Sequence, residues 1–216
     1  MRDAASLRGQ VITVALVVAC GIAAFIAMRG TSRALYTSLD AWYREARFAD
    51  LFVHLERAPL PVALRLAELP GVAVAQARVV EGASLQVEGF PEPIRGQFLS
   101  LPASGVPRLN RLRLRQGRLP SPERTDEILV NEAFAVAQSL GPGDTIGATL
   151  EGKQHQLRIV GVVLSPEFIY AMSPGALIQD DARFGVVWMG EDALSNAAGM
   201  EGAFNDVILQ FSGDVR

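Results

Sequence analysis

The densest group of chemically capable side chains is a run of five arginines within eleven residues, Arg108, Arg111, Arg113, Arg115 and Arg118. If this run forms a β-strand, Arg111, Arg113 and Arg115 share one face of it. Guanidinium groups bind phosphates and carboxylates through paired hydrogen bonds. One hypothesis is therefore a contact with an anionic lipid head group or an acidic partner. The alternative is a solvated strand face that pairs with the carboxylates that follow, Glu123, Asp126 and Glu127.

Residues 147–154 nearly match the phosphate-binding pattern G-x-x-x-x-G-K-[ST]. The last position is Gln154, which lacks the hydroxyl group that would bind Mg²⁺. A phosphate-binding loop also opens a helix, whereas residues 155–163 have the β-branched and alternating composition of a strand. We interpret this segment as the turn of a hairpin.

Histidine and cysteine are too sparse for a metal or catalytic centre to be expected. The chain has two histidines, His54 and His155, and one cysteine, Cys20, which excludes a cysteine-built zinc site. No Gly-x-Ser-x-Gly elbow supports a catalytic triad. The pairs Asp180-Asp181 and Glu191-Asp192 lack the spacing of a calcium loop. We predict no catalytic residue, no metal ligand and no cofactor in this chain.

An apolar loop follows the predicted hairpin and contains Phe168, Tyr170 and Met172. One interpretation is a plug that fills the core of the domain. The alternative is an exposed patch that contacts a hydrophobic substrate or a membrane surface.

The overall composition sets limits on the class of protein. The chain has 216 residues, of which 50% are hydrophobic, and this excludes an intrinsically disordered chain. The net charge of −3 argues against a nucleic-acid partner. The charge is uneven, because residues 1–39 carry four arginines and one aspartate, whereas residues 40–216 carry 16 basic and 22 acidic residues.

The segment from Val11 to Met28 contains eighteen residues without a charge, and Gly9 and Gln10 extend the uncharged run to twenty. Twenty helical residues measure roughly 30 Å, the thickness of a bilayer core. We therefore predict a transmembrane helix. A cleaved signal peptide and a lipoprotein signal that ends at Cys20 are the alternatives. The short N-terminal tail and the large acidic remainder favour an N-terminus on the cytoplasmic side and residues 29–216 on the outer side of the membrane.

Beyond the membrane, apolar residues at steps of three or four predict a stalk helix that ends before Pro59 and Pro61. From Val72 onward, short strands and helices alternate without a regular βαβ repeat, which indicates an α+β domain. The predicted organisation is a tail (1–9), a transmembrane helix (10–28), a stalk helix (29–58) and a two-lobed mixed α/β extracytoplasmic domain (59–216).

An ordered set of short motifs carries a resemblance to a known family. They are LPGV (69–72), LRQGRLP (114–120), DEILVNEAFAVAQSLGPGDTIGATL (126–150) and LRIVGVV (157–163). With the preceding helix, this order resembles permeases of the MacB/FtsX/LolC-LolE superfamily of ABC transporters. The segments RGQ (8–10), ACGIAAFIAM (19–28) and RFADLFVHLERAP (47–59) resemble the long, duplicated members of that superfamily.

The resemblance implies a non-catalytic membrane subunit in the bacterial inner membrane. A separate cytoplasmic ATPase would hydrolyse ATP, and a second permease copy is a further expected partner. The outer domain would act on a lipid, a lipoprotein, a peptide or another hydrophobic substrate. It would consist of a porter-like lobe and an inserted lobe at roughly residues 102–164.

Such permeases have further transmembrane helices after the outer domain, whereas this sequence ends soon after a predicted strand. We therefore expect the chain to be a fragment of a longer permease. The alternative is a single-pass, membrane-anchored envelope protein with a binding or scaffold role. A membrane-tethered hydrolase is a third class, but no group of residues supports it.

Overall fold

The computed structural model describes residues 3–171 and 179–213. The helices in these ranges are α1 (Asp3–Glu45), α2 (Leu60–Ala67), α3 (Glu132–Ala137) and α4 (Glu191–Ala197). The strands are β1 (Leu51–Pro59), β2 (Val72–Arg78), β3 (Val80–Gln86), β4 (Ile94–Leu101), β5 (Arg113–Gly117), β6 (Glu127–Asn131), β7 (Thr145–Leu150), β8 (Lys153–Leu164), β9 (Phe184–Gly190) and β10 (Ala203–Phe211). The mixed α/β class predicted for the domain is confirmed.

Helix α1 is long and apolar in its first half, and the apolar side chains of that half are exposed. Val17, Phe25 and Ile26 are each at least 60% exposed. Among the described residues, α1 is the helix whose length and composition would allow it to cross a bilayer. Residues up to Arg44 form one compact unit, and Glu45–Arg216 form the other. The predicted apolar helix is confirmed, and its composition is that of a membrane span.

The predicted stalk helix is too long, because α1 ends at Glu45 and most of residues 46–58 belong to a turn and a strand. Arg47 has a φ of 52°, a left-handed conformation that interrupts a helix. The backbone of Leu51–Pro59 then pairs with β10, about 150 positions later in the chain. The apolar spacing of this segment fits a helix, but the strand has a distant partner that local periodicity cannot reveal.

A three-stranded antiparallel sheet, called the small sheet here, has the order β1-β10-β2. Helix α2 covers one face of it, where Phe204, Val207 and Leu209 pack against partly buried residues of α2. On the other face, Ile208 packs with Leu109.

The remaining strands form a sheet of seven with the order β5-β8-β6-β9-β4-β3-β7, and β7 pairs back onto β8. Six strands therefore close into a barrel, and β5 lies beside β8 as an additional strand. The long strand β8 makes this possible: residues 153–158 pair with β7, and residues 161–164 pair with β5. Closure of a sheet removes exposed strand edges.

The largest apolar cluster of the molecule lies in this barrel and against its helices. Phe98, Ile128, Phe134 and Leu157 are at most 1% exposed and belong to it. A second cluster, which includes Trp188, packs on the other side of the sheet. The predicted hairpin is confirmed, because β7 and β8 are antiparallel neighbours joined by a short turn.

The residues expected to form an inserted lobe, 102–164, do not correspond to a separate part of the sheet order. Residues 102–164 do not form a sheet of their own, because β5 to β8 interleave with β3, β4 and β9. The segment that separates β2 from β10 of the small sheet is larger: it comprises residues 79–202 and contains β3 to β9. Alternating patterns identify strands but not their partners, and so the sequence alone cannot set the limits of such a lobe.

Candidate functional site

Three of the motifs that carry the family resemblance meet where β5, β6 and β8 lie side by side. Gly117 pairs with Gly161 across β5 and β8. A Cβ atom on Gly117 would collide with the Val160 carbonyl oxygen, and a Cβ atom on Gly161 would lie 2.6 Å from the Arg118 carbonyl oxygen. Gly117 also has a φ of 77°. Two glycines are therefore required for the strands to approach this closely.

Next to this contact, Arg118 holds Glu127 with two hydrogen bonds of 2.5 and 2.7 Å. The N–H of Ser121 donates to the same carboxylate at 2.9 Å. The hydrogen bond from Arg118 is the main cause that lowers the pKa of Glu127 to about 2. The Glu127 carboxylate is therefore ionised and fixes the connection between β5 and β6. These motif residues therefore hold β5 and its connection to β6 against β8 of the barrel.

A second group of charged residues is buried between the small sheet and the segment that follows β8. Arg78, at the end of β2, is 5% exposed. Its guanidinium donates to both oxygens of Glu167, at 2.6 and 2.7 Å, and its Nε donates to Asp206 on β10. Asp206 is fully buried. We call Arg78, Glu167, Asp206, Asn110 and His54 the Arg78 network.

Burial alone would lower the pKa of Arg78, but Glu167 and Asp206 outweigh it, and the pKa of Arg78 is raised. The guanidinium is therefore a permanent cation between two carboxylates. Bidentate pairing satisfies its donors, which is what a buried charge requires.

Asn110 extends the Arg78 network towards the residues that follow α1. Its Nδ2 donates to Glu167 at 2.8 Å, and its Oδ1 accepts the N–H of Ala49 at 2.9 Å. Its own N–H donates to the carbonyl of Arg47 at 3.0 Å. Asn110 has a φ of 49°, a conformation that asparagine tolerates better than most residues. The network thus ties residues 47–49, β2, β10 and the segment after β8 together.

His54 lies on β1, and its Nδ1 contacts Asp206. Its side chain is 70% exposed, whereas Asp206 is fully buried and also accepts from Arg78. The carboxylate that could orient a catalytic histidine is thus already bound to a structural cation. His155 lies in β8, away from His54, and its Nε2 is buried without a hydrogen-bond partner in the described structure.

The predicted arginine face is only partly formed. Arg113 begins β5, Arg111 precedes it, and a bulge between Leu114 and Gln116 leaves Arg115 out of the ladder. The expected alternation of Arg111, Arg113 and Arg115 is therefore interrupted by an extra residue. Arg115 donates to Glu132 at 2.9 Å. Arg111 and Arg113 remain exposed.

Of the predicted apolar loop, one residue lies in the core and another lies on the surface. Phe168 is half-buried and meets Trp188 edge to face, with ring centroids 5.9 Å apart. Tyr170 is 75% exposed. Met172 lies outside the described residues. Phe168 thus fills the core, whereas Tyr170 is available to a partner.

The segment that resembles a phosphate-binding loop is a tight turn. Glu151 and Gly152 both have positive φ and join β7 to β8, which is a strand and not a helix. No group of three or more potential metal-ligating side chains occurs among the described residues. Glu191 and Asp192 lie in the first turn of α4, and burial followed by the charge of Asp192 raises the pKa of Glu191.

A groove runs beside His54 along the outer face of β3 and β4. Its lining includes Gly82, Arg95, Gln97 and Phe184. Most of the lining is apolar, with an arginine and an amide among the polar groups. Such a surface can hold an amphipathic molecule. Local sequence patterns did not predict it, because its walls come from separate sheets.

Sequence reasoning also missed Arg78 and Asp206. The only available signal was a charged residue inside an otherwise apolar strand, in VAVAQAR (72–78) and in AFNDVILQF (203–211). A charged residue in such a strand predicts that a buried residue of opposite charge pairs with it, but it does not identify that residue.

The chain is similar to two solved extracytoplasmic structures. One is the periplasmic region of MacB from Actinobacillus actinomycetemcomitans, with a TM-score of 0.47, 14% identity, and coverage of 76% of this chain and 68% of that chain. The other is the extracellular domain of the ABC-type transporter YknZ from Gram-positive bacteria, with a TM-score of 0.47, 12% identity, and coverage of 75% and 82%. No family model and no curated protein matches the sequence.

Proposed function

We propose that this chain is the membrane-anchored outer-domain part of a non-catalytic ABC transporter permease of the MacB/FtsX/LolC-LolE type, in a bacterial inner membrane. The observation that carries the proposal is the unbroken helix α1, which connects the apolar run to Glu45 without a turn. The ordered motifs support it, since Gly117 of one motif pairs with Gly161 of another, and Arg118, next to Gly117, binds Glu127 of a third.

The proposed role of the chain is to convey movement. A shift of the apolar part of α1 would move the end of the helix, and β1 begins six residues after it. The small sheet would receive that movement through β1. The Arg78 network would pass it on, because Arg78 and Asp206 lie on the small sheet and Glu167 follows β8 of the barrel. Fixed charges that are held by several hydrogen bonds suit this task because they resist sliding.

ATP hydrolysis is assigned to a separate cytoplasmic ATPase, because the glycine-lysine segment at the β7–β8 turn lacks the strand-turn-helix geometry that holds phosphates. A second permease copy would complete the assembly. The substrate class that fits this family is a lipid, a lipoprotein, a peptide or another hydrophobic molecule. The largely apolar groove beside His54 supports a substrate or partner of that polarity.

The test is to purify the epitope-tagged protein from its native membranes in a mild detergent and to measure ATP hydrolysis. We expect a chain with Walker motifs to co-purify, together with vanadate-sensitive ATPase activity. Purified protein without an ATP-hydrolysing partner would contradict the proposal and favour the single-pass binding or scaffold protein.

The coupling part of the proposal needs a variant of α1. Leu39→Pro removes a helical hydrogen bond between the apolar run and the domain, whereas Leu39→Ala preserves the helix and is the matched control. We expect the ATPase to remain bound in both variants. Its rate should change several-fold with Leu39→Pro only. Equal rates would show that the helix does not convey movement.

A further inference from the structure

Three ionisable side chains form one row across the small sheet. His54 on β1 lies opposite Asp206 on β10, and Asp206 lies opposite Arg78 on β2. His54 has the outer position, because β1 is a terminal strand of this sheet. Its side chain is 70% exposed, whereas Asp206 is fully buried. The row therefore connects a buried ion pair to solvent through a histidine.

The two oxygens of Asp206 have different partners. Oδ1 accepts a hydrogen bond from the Nε of Arg78. Oδ2 is buried, accepts no aligned hydrogen bond in the described structure, and contacts the Nδ1 of His54. A buried carboxylate oxygen without a donor costs free energy. His54 is the side chain whose position allows it to supply that donor.

The protonation state of His54 decides the strength of this contact. A protonated imidazole carries a hydrogen on both nitrogens, and a charge-assisted hydrogen bond is about twice as strong as a neutral one. A neutral imidazole with its hydrogen on Nε2 instead presents a lone pair to the carboxylate. Imidazole is the side chain whose charge ordinarily changes between about pH 5 and 8. We therefore expect the contact between β1 and β10 to be stronger at the acidic end of this range.

The buried charges next to His54 favour its protonated form. Glu167 and Asp206 both raise the pKa of Arg78 through their negative charge. One cation between two anions leaves one negative charge without a balancing partner. Among the described residues, Asp206 is the charged group bound to His54. A protonated His54 would balance the charge of the Arg78 network.

Other charged side chains lie near this face of the small sheet, and all of them are exposed. Water screens interactions between exposed charges, whereas the contact with Asp206 is direct. Helix α2, which carries Arg65, covers the opposite face of the sheet. The charged groups on the same side as His54 are Glu56 on β1, Arg95 on β4, which lines the same groove, and Arg108 and Arg111 on the loop before β5.

We propose that His54 is a pH-sensitive switch on the edge strand β1: when protonated, it binds Asp206 and strengthens the pairing of β1 with β10. The effect is local, because β1 pairs with β10 at residues 51–54 and again at 58–59, with an irregularity between the two runs. His54 is the last residue of the first run, and a rise in pH loosens this run. This inference goes beyond the proposed function and does not depend on it.

The test measures hydrogen exchange of the full chain in a non-ionic detergent at about pH 5 and about pH 8. The rates are corrected for the intrinsic effect of pH on exchange. A histidine that gains a carboxylate partner on folding stabilises the structure while it is protonated, and this contribution is lost as the pH rises. We expect the protection of amides in residues 51–54 to be about fivefold lower at the higher pH. Protection that does not change with pH in the unmodified protein would overturn the proposal.

A pair of histidine variants assigns the effect to one residue. His54→Gln can donate a hydrogen bond but cannot become charged, and so we expect its protection of β1 not to depend on pH. The matched control is His155→Gln, which removes the other histidine of the chain, in β8, and should keep the pH dependence. Circular dichroism should show that both variants are folded.

The variants also separate His54 from other groups that titrate near this range. Burial raises the pKa of Glu81 and of Glu191. Both glutamates are present in every protein compared, and so they cannot produce a difference between the variants. A pH dependence of β1 that persists in His54→Gln, or that disappears in His155→Gln, would overturn the proposal.

Discussion

Two bidentate arginine–glutamate pairs in this domain have the same chemistry in different surroundings. The Arg118 side chain is 58% exposed, and its partner Glu127 follows nine residues later in the chain. The Arg78 side chain is 6% exposed, and its partners lie 89 and 128 residues away. The first pair fixes a local connection at the barrel, whereas the second joins distant segments. The difference shows which contacts depend on the whole fold.

The largest expected effect is the removal of the buried cation. Arg78→Met leaves two buried carboxylates without their partner, and so we expect the free energy of unfolding to fall by about 3–5 kcal/mol. Urea unfolding followed by tryptophan fluorescence measures this. Adding Glu167→Gln and Asp206→Asn to Arg78→Met should recover part of the loss, because the orphaned charges are then gone. A triple variant no more stable than Arg78→Met would show that charge is not the cause.

The next effect concerns the glycine contact beside the exposed pair. Gly117→Ala places a methyl group against the backbone of β8 and also suffers the left-handed φ, and we expect a loss of about 2–4 kcal/mol. Gly152 has nearly the same φ, 75°, but nothing within 4 Å of its added Cβ. Gly152→Ala is therefore the matched control, with an expected loss of about 1 kcal/mol. If both variants lose the same free energy of unfolding, close packing against β8 is not the reason why position 117 requires glycine.

A smaller effect, which depends on pH, is expected for Glu127. Its pKa is lowered to about 2 in the folded domain, and so its ionised form stabilises the fold above the unfolded pKa. That contribution is lost as the pH falls through about 2. We expect Glu127→Gln to cost about 1–2 kcal/mol near neutral pH. Its unfolding curve should approach that of the unmodified protein in strong acid, and a constant difference across pH would contradict the assignment.

The smallest effect is expected at the exposed pair of Arg115 and Glu132, whose side chains are 46% and 34% exposed. A double-mutant cycle with Arg115→Gln and Glu132→Gln should give a coupling energy below about 1 kcal/mol, because water screens both charges. A coupling energy as large as that between Arg78 and Glu167 would show that exposure to water does not decide the strength of these ion pairs.

Much of the local structure was predictable from the sequence. The uncharged run predicted the apolar helix, and the strand-like composition of residues 155–163 predicted the hairpin of β7 and β8. These signals work because the contacts that they reflect are close in the chain. Glu127 was also among the carboxylates predicted to pair with the arginine run, and it does pair with Arg118.

The contacts between distant segments were not predictable. Residues 51–58 were interpreted as helix, because their pairing with β10 cannot be recognised from the local sequence. Arg78 and Asp206 meet only once β2 and β10 lie side by side. The bulge that interrupts the arginine face arises in the same way, because it is defined by the partner strand β8 and not by β5 alone.

The central claim is that the Arg78 network joins the small sheet to the rest of the domain. Hydrogen exchange of the full chain in detergent, compared between the unmodified protein and Arg78→Met, tests it most directly. We expect amides of β1, β2 and β10 and those of residues 46–49 and 110–111 to lose protection, while amides of β6, β8 and β9 keep theirs. Uniform loss of protection across both sheets, or loss confined to the barrel, would contradict the claim.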